Sequence, residues 1–280
     1  MWLLLLLAVI IGFIGYAFVR QRKSQHYLQQ RFNQVIGLRQ LIDLFRFHRR
    51  RTHQALLRPS EDNARPLAES QAIANMVKTL LNQADRHHKP MYRILNQRSD
   101  LLLREWRHYS IQRNQVVHGK MIRHVLYLID DTITQSLLNN DKASQFQHYQ
   151  TIWPIILNAL DTLSRYRYTI ENSQLGSSAS YRELDNHAST FYRRLEQINL
   201  QLKQPAPALC IDTLRQQLAV VPDDQDGIIK YKQQLYQYSL TLSDTLYLLF
   251  DHVLQDIADE LKIHLPEATS QKSASSHITT

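Results

Sequence analysis

The stretch FRFHRRRTHQAL, residues 45–56, decides the fold, because it sets arginine across the apolar stripe of a long helix. Around it Phe32, Val35, Leu38, Ile42, Phe45, Thr52 and Leu56 recur at intervals of three and four, the spacing of one helical face. Arg49 lies on that face, four residues after Phe45 and seven after Ile42, so its guanidinium is aimed at whatever the helix packs against. A guanidinium cannot shed its charge to escape burial, so an inward arginine needs a partner.

The composition narrows what that partner can be. A chain of 280 residues buries a core without staples, and only six glycines among abundant Leu, Gln, Arg and Ala favour an all-helical protein. The single cysteine, Cys210, excludes an internal disulfide and fits a reducing compartment. The net charge of +8 is concentrated in one segment: from Arg20 to Arg58 there are ten Lys or Arg against one acid, Asp43, and the rest of the chain is nearly balanced. That cluster begins beside an apolar run and no nucleic-acid motif accompanies it, so lipid headgroups or a shared groove are the expected partners rather than DNA or RNA.

The apolar run is residues 2–19 of MWLLLLLAVIIGFIGYAFV. As a helix it would span about 27 Å, close to the hydrocarbon core of a bilayer. No cation precedes it, no small-residue cleavage site follows it, and Arg20, Arg22 and Lys23 cap its far side, which reads as a retained anchor rather than a cleaved signal. The positive-inside rule then places the chain in a single pass of the inner (plasma) membrane, with its bulk in the cytoplasm. Gly12 and Gly15 leave room for two anchors to meet in a homodimer. The expected domains are residues 1–23, anchor and basic stop; 24–263, a helical domain; and 264–280, a polar disordered tail.

Helix-ending residues punctuate the domain at RPSEDNARP (58–66), HHKP (87–90), NSQLGSSAS (172–180), KQPAP (203–207) and VPDDQDG (221–227), with weaker breaks near Ser110 and Asn140. About eight helices follow: 20–58, 66–87, 90–108, 111–139, 141–172, 178–203, 208–220 and 226–263. Helices this long on short connections lie antiparallel, as one or two four-helix bundles. His118, Ile122, Val125, Ile129, Ile133 and Leu137 mark the inner face of the fourth, and Leu235, Leu242, Leu246, Phe250, Val253, Ile257 and Leu261 that of the last.

The opening motif has an echo. IDLFRFHRR (42–50) and LDTLSRYRY (160–168) both place an arginine six residues after an aspartate, Arg49 after Asp43 and Arg167 after Asp161. Arg167 follows Leu160 by seven and Leu163 by four, so it too faces inward.

Together these segments resemble the nitrate- and nitrite-sensing (NIT) domain, a helical module of bacterial sensors. LFRFHRRRTHQALL (44–57) is similar to that family's first-helix pattern of Leu, His or Glu, Arg and Gly, and LDTLSRYRYTI (160–170) to its later Leu-Gly-x-x-Arg-Gly pattern. NQVVHGKMIRHVL (114–126) and YSLTLSDTLYLLFDHVLQDI (238–257) extend the resemblance across roughly residues 28–262. Both glycines that follow the family's arginines are replaced, by Arg50 and Tyr168, and the polar tail leads to the expectation of no output domain after the helices. The resemblance implies two four-helix bundles that bind a small planar anion, with Arg49 and Arg167 as direct ligands, Arg50 as helper and His118 donating a further hydrogen bond. A signal would pass to a separate protein.

The residues alone leave a second reading open, in which Arg49 pairs with Asp161 and Arg167 with Asp43 in a cross-brace that fixes helix register. The protein is then a ligand-free, membrane-tethered scaffold. His87 and His88 read as a solvated helix end, and His48 and His53, five apart, as facing different sides. No metal-ligand spacing, phosphate loop or nucleophile motif is present, so neither a cofactor, a metal nor catalysis is expected.

Overall fold

The computed structural model describes residues 2–57, 67–172, 178–203 and 225–265, and among these the regular structure is all helix, joined by short turns. The helices are α1 (Trp2–Leu57), α2 (Ala68–Gln83), α3 (Lys89–Glu105, extended by a 3-10 turn, Trp106–His108), α4 (Ile111–Asn139), α5 (Ala143–Asn172), α6 (Ser178–Asn199) and α7 (Gln225–Leu261). The expected helix 208–220, with Cys210, and the tail from residue 266 lie outside the described residues. The expected anchor and first helix are one continuous helix, since no breaker separates Val19 from Leu57. Among the described residues no helix is long and apolar enough to cross a membrane. The side chains of residues 3–5 and 7–9 of the expected anchor are outside that set.

The helix ends follow local chemistry. Asp85 stops α2 short of residue 87: its carboxylate accepts from the His88 backbone N–H at 3.0 Å and prepares α3, which has proline in its first turn. Ser110 caps α4 by accepting from the Arg113 N–H at 3.1 Å. At its other end Asp141 takes φ 56° while the Lys142 N–H reaches the Leu137 carbonyl at 2.9 Å, a Schellman closure that turns the chain into α5.

Contacts fix the relative directions. On α1 and α4, Ser24 meets Asn140 while Thr52 meets Asn114, so the two run antiparallel. On α1 and α7, Gln29 meets His264 while Arg46 meets Asp244, again antiparallel. Arg167 of α5 bonds Ser239, and Trp153 packs on Phe250, which opposes α5 to α7. Helices α1, α4, α5 and α7 therefore form an up-down bundle. The α2–α3 hairpin flanks it on the α1/α4 side and α6 on the α5/α7 side. A main apolar core runs through them, including Phe32, Phe45, Ile129, Tyr149 and Phe250, and a smaller one joins α5, α6 and α7 through Tyr166, Ile170, Leu184, Ala188, Tyr231 and Leu235. Gly37 lets α2 come close, since a Cβ there would stand 3.1 Å from Leu80.

Part of the basic segment is spent inside the protein, while Arg20, Arg22, Lys23, Arg50 and Arg51 stand exposed. Arg31 pairs with Asp85, Arg39 with Asp43 and Asp251, and Arg46 with Asp43 and Asp244. These arginines are committed to internal carboxylates rather than offered to a surface partner. His88 is no solvated end: its ring bridges Asp85 at 2.5 Å and Asp131 at 2.9 Å, tying the α2–α3 connection to α4.

Candidate functional site

Arg49 and Arg167 come together. Both are 5 % exposed, and both line one cavity at the centre of the four-helix bundle. Its volume is about 20 Å³, above the roughly 10–15 Å³ that one water needs. Helix α4 contributes Gly119, Ile122 and Arg123; α5 adds Leu157, Leu160 and Ser164; α7 adds Ser243 and Tyr247. Exposed Ser164 and half-buried Gly119, Arg123 and Leu160 form the rim.

The cross-brace is not formed. Asp43 is taken by Arg39 at 2.7 Å and Arg46 at 2.8 Å, one turn to either side on its own helix, and Asp161 is taken by Arg123. Among the described residues neither Arg49 nor Arg167 has a carboxylate partner. Arg167 is held by α7: its Nε donates to Ser239 Oγ at 3.0 Å and its Nη2 to the Ser239 carbonyl at 2.8 Å. Ser239 Oγ donates in turn to the Tyr236 carbonyl at 2.7 Å, which leaves its lone pairs for the guanidinium. These bonds orient the charge without neutralising it. The Arg49 guanidinium donates to nothing among the described residues, and its Nε is buried without a partner there. The buried Tyr247 hydroxyl, in the cavity wall, also lacks a hydrogen-bond partner among the described residues.

The electrostatics agree. Burial, and then the charge of Arg49, hold Arg167 well below the ordinary arginine range. Burial likewise lowers Arg49, only partly offset by Tyr236 and Tyr247. Since arginine keeps its proton at neutral pH, both depressions express uncompensated positive charge.

Two expected ligands are placed elsewhere. Arg50 is exposed, because one residue along a helix turns the side chain about 100° away from Arg49. His118 is buried beside the cavity, but both its nitrogens are used: Nδ1 donates to the Asn114 carbonyl at 2.8 Å, so Nε2 accepts from His48 Nδ1 at 2.8 Å. It has no donor left for a ligand and serves to fix α4 on α1. Thr52 adds to this layer by accepting from Asn114 Nδ2 at 3.0 Å. His53 is also buried against α4, its Nδ1 3.0 Å from the Gln115 amide, and is stacked on Tyr236 of α7 at 3.7 Å.

Burial lowers His48 and His53 to about 4, helped by Arg107 for the first and by Arg49 and Arg167 for the second. The unfolded chain protonates the same rings near pH 6.5 and so binds more protons than the folded chain between pH 6.5 and 4. Stability from the neutral rings is complete above that interval and is lost as pH falls through it. The melting temperature is expected to drop between pH 7 and 4.5, with a shallower slope for the double variant His48→Gln, His53→Gln. Parallel slopes for the two proteins would contradict the assignment.

The sequence reading missed Ser239, Ser243 and Tyr247, spaced by four along one face of α7. The seven-residue interval between Leu235 and Leu242 in the apolar stripe was their only signal. Compared with protein-family models, with curated proteins and with solved structures, the chain gives no match. The resemblance to nitrate-sensing domains therefore rests on the segments quoted above.

Proposed function

We propose that the protein is a membrane-tethered, non-catalytic helical sensor module that takes a small oxyanion of the nitrate or nitrite class between Arg49 and Arg167 and signals to a separate partner. The observation that carries this reading is the convergence of two buried guanidiniums, from α1 and α5, on one cavity with no carboxylate between them. A flat oxyanion supplies what the planar forks lack, namely charge and acceptors. The small cavity favours an ion of a few atoms over a sugar phosphate or an amino acid. The scaffold alternative asks for arginines paired with carboxylates, and among the described residues neither Arg49 nor Arg167 has one.

Tethering is supported by the apolar N-terminal part of α1, where Trp2, Leu6, Ile10, Phe13, Ile14 and Phe18 stand exposed. Anchor and cavity share one helix, so a shift of α1 on binding reaches both.

The test is calorimetric titration of the full chain in detergent with nitrate, for wild type and Arg167→Ala. Saturable heat is expected from wild type, with affinity lost by about tenfold or more in the variant, the scale of a charged hydrogen bond. An absence of heat from wild type, or equal affinity in the variant, sinks the reading.

A further inference from the structure

Arg123 stands in two places at once. It lines the cavity from α4, yet its guanidinium is paired with Asp161 of α5, which does not belong to the cavity wall. Both side chains are about two-fifths exposed, 41 % and 43 %, so the pair lies at the rim in contact with solvent. An ion pair in that position is weak and exchanges readily. One turn back on α4, Gly119 also lines the cavity, and a Cβ built there meets nothing within 4 Å. Beside the arginine, on its own helix, there is thus open space at the mouth of the cavity. The other rim residues, Leu160 and Ser164, offer no charge.

We propose that Arg123 is a mobile third cation of the anion site: held outward by Asp161, it turns past Gly119 onto an anion lodged between Arg49 and Arg167, closing the mouth between α4 and α5. This rests on the anion-site reading above. The exchange is electrostatically coherent. Before binding, a third inward charge would add to the repulsion between two uncompensated guanidiniums, and Asp161 gives Arg123 a better partner. Once an anion occupies the cavity, its field attracts Arg123 in a setting less screened by water than the rim. Asp161 then acts as a specificity-setting competitor, since only a ligand able to outbid a carboxylate draws the arginine in. A neutral molecule of the same size leaves the mouth open.

The test uses nitrate as the probe and the full chain in detergent, titrated calorimetrically as wild type, Asp161→Asn, Arg123→Gln and the double variant. Asp161→Asn is expected to tighten nitrate binding by about three- to fivefold and Arg123→Gln to weaken it by a similar factor, the scale of a partly exposed ion pair. In the Arg123→Gln background the Asp161 change is expected to have no further effect. A purely structural pair would move the melting temperature and leave nitrate affinity alone. Unchanged affinity in Asp161→Asn overturns the proposal, as does an equal gain with and without Arg123, which would reduce Asp161 to a remote negative charge. If wild type itself takes no nitrate, the anion-site reading fails and Arg123 falls with it. Binding by wild type that is indifferent to Asp161 removes the gate alone.

Discussion

Replacing Arg49 with methionine is expected to raise the melting temperature of the anion-free chain and, in the same protein, to abolish its stabilisation by nitrate. The two effects share one cause. Arg49 is buried, its guanidinium makes no hydrogen bond or ion pair among the described residues, and it lies near a second unneutralised guanidinium. Its charge is a cost to the folded state that Tyr236, Tyr247 and Asp244 offset only in part. Methionine has a similar unbranched stem, a good helix propensity and no charge to desolvate. Exchanges of buried charges for apolar side chains of like volume have stabilised other proteins by about 1–4 kcal/mol. For a chain of this size each kcal/mol moves the melting point by roughly 2–4 °C.

Nitrate should close the gap from the other side. A ligand at a hundredfold excess over its Kd adds about 2.7 kcal/mol to the state that binds it, so wild type gains with nitrate and Arg49→Met does not. Thermal melts of both proteins with and without nitrate check this. If the variant is less stable than wild type under both conditions, Arg49 is a structural brace and the cavity is a packing defect.

Much of this arrangement could be read from spacing, and the failures have physical reasons. The inward direction of Arg49 and Arg167 follows from their distance to Phe45 and Leu163, because a helix repeats its face every three to four residues whatever it packs against. The caps at Ser110 and the turn at Asp141 are likewise local. What spacing could not supply was the register between helices, which decides that Asp251 and Asp244 on α7 meet Arg39 and Arg46. Asp43 is instructive, because the sequence reading sent it across the bundle to Arg167. Its two arginines stand at i−4 and i+3 on its own helix, pairs that were there to be counted. His118 shows the reverse: its inward position was legible, but its role depends on His48 supplying a donor from another helix. Ser239 was hidden because a small polar residue in a stripe of leucines carries no periodic signal of its own.

The register itself is expected to hang on Arg39, and Arg39→Ala should be the most damaging single change in the α1–α7 interface. Arg39 grips Asp251 through both oxygens, at 2.6 and 2.9 Å, reaches Asp43 at 2.7 Å, and lies 4.9 Å from the ring centre of Tyr247. Although burial pulls its pKa down, Asp251 and Asp43 together hold it above the ordinary arginine range. Asp251 is in the opposite position: burial raises it, and Arg39 is the main influence pulling it back. Removing the arginine leaves Asp43 with Arg46 but strands Asp251 in a largely buried site. Breaking such a pair from one side costs about 3–5 kcal/mol.

That cost has a signature beyond its size. Burial already holds Asp251 above the ordinary aspartate range with Arg39 present; with Arg39 gone it rises further, so the folded form favours the protonated acid more strongly. The penalty is largest at neutral pH and shrinks as pH falls towards 5, opposite in sign to the histidine effect. Asp251→Asn should therefore rescue much of the loss in Arg39→Ala at pH 7, whereas in the wild-type background the same change should destabilise by removing Arg39's bidentate partner. Urea denaturation of the four proteins at pH 7 reads the coupling directly. Additive losses would mean that the two side chains merely lie side by side, and that α7 is positioned by its apolar stripe alone.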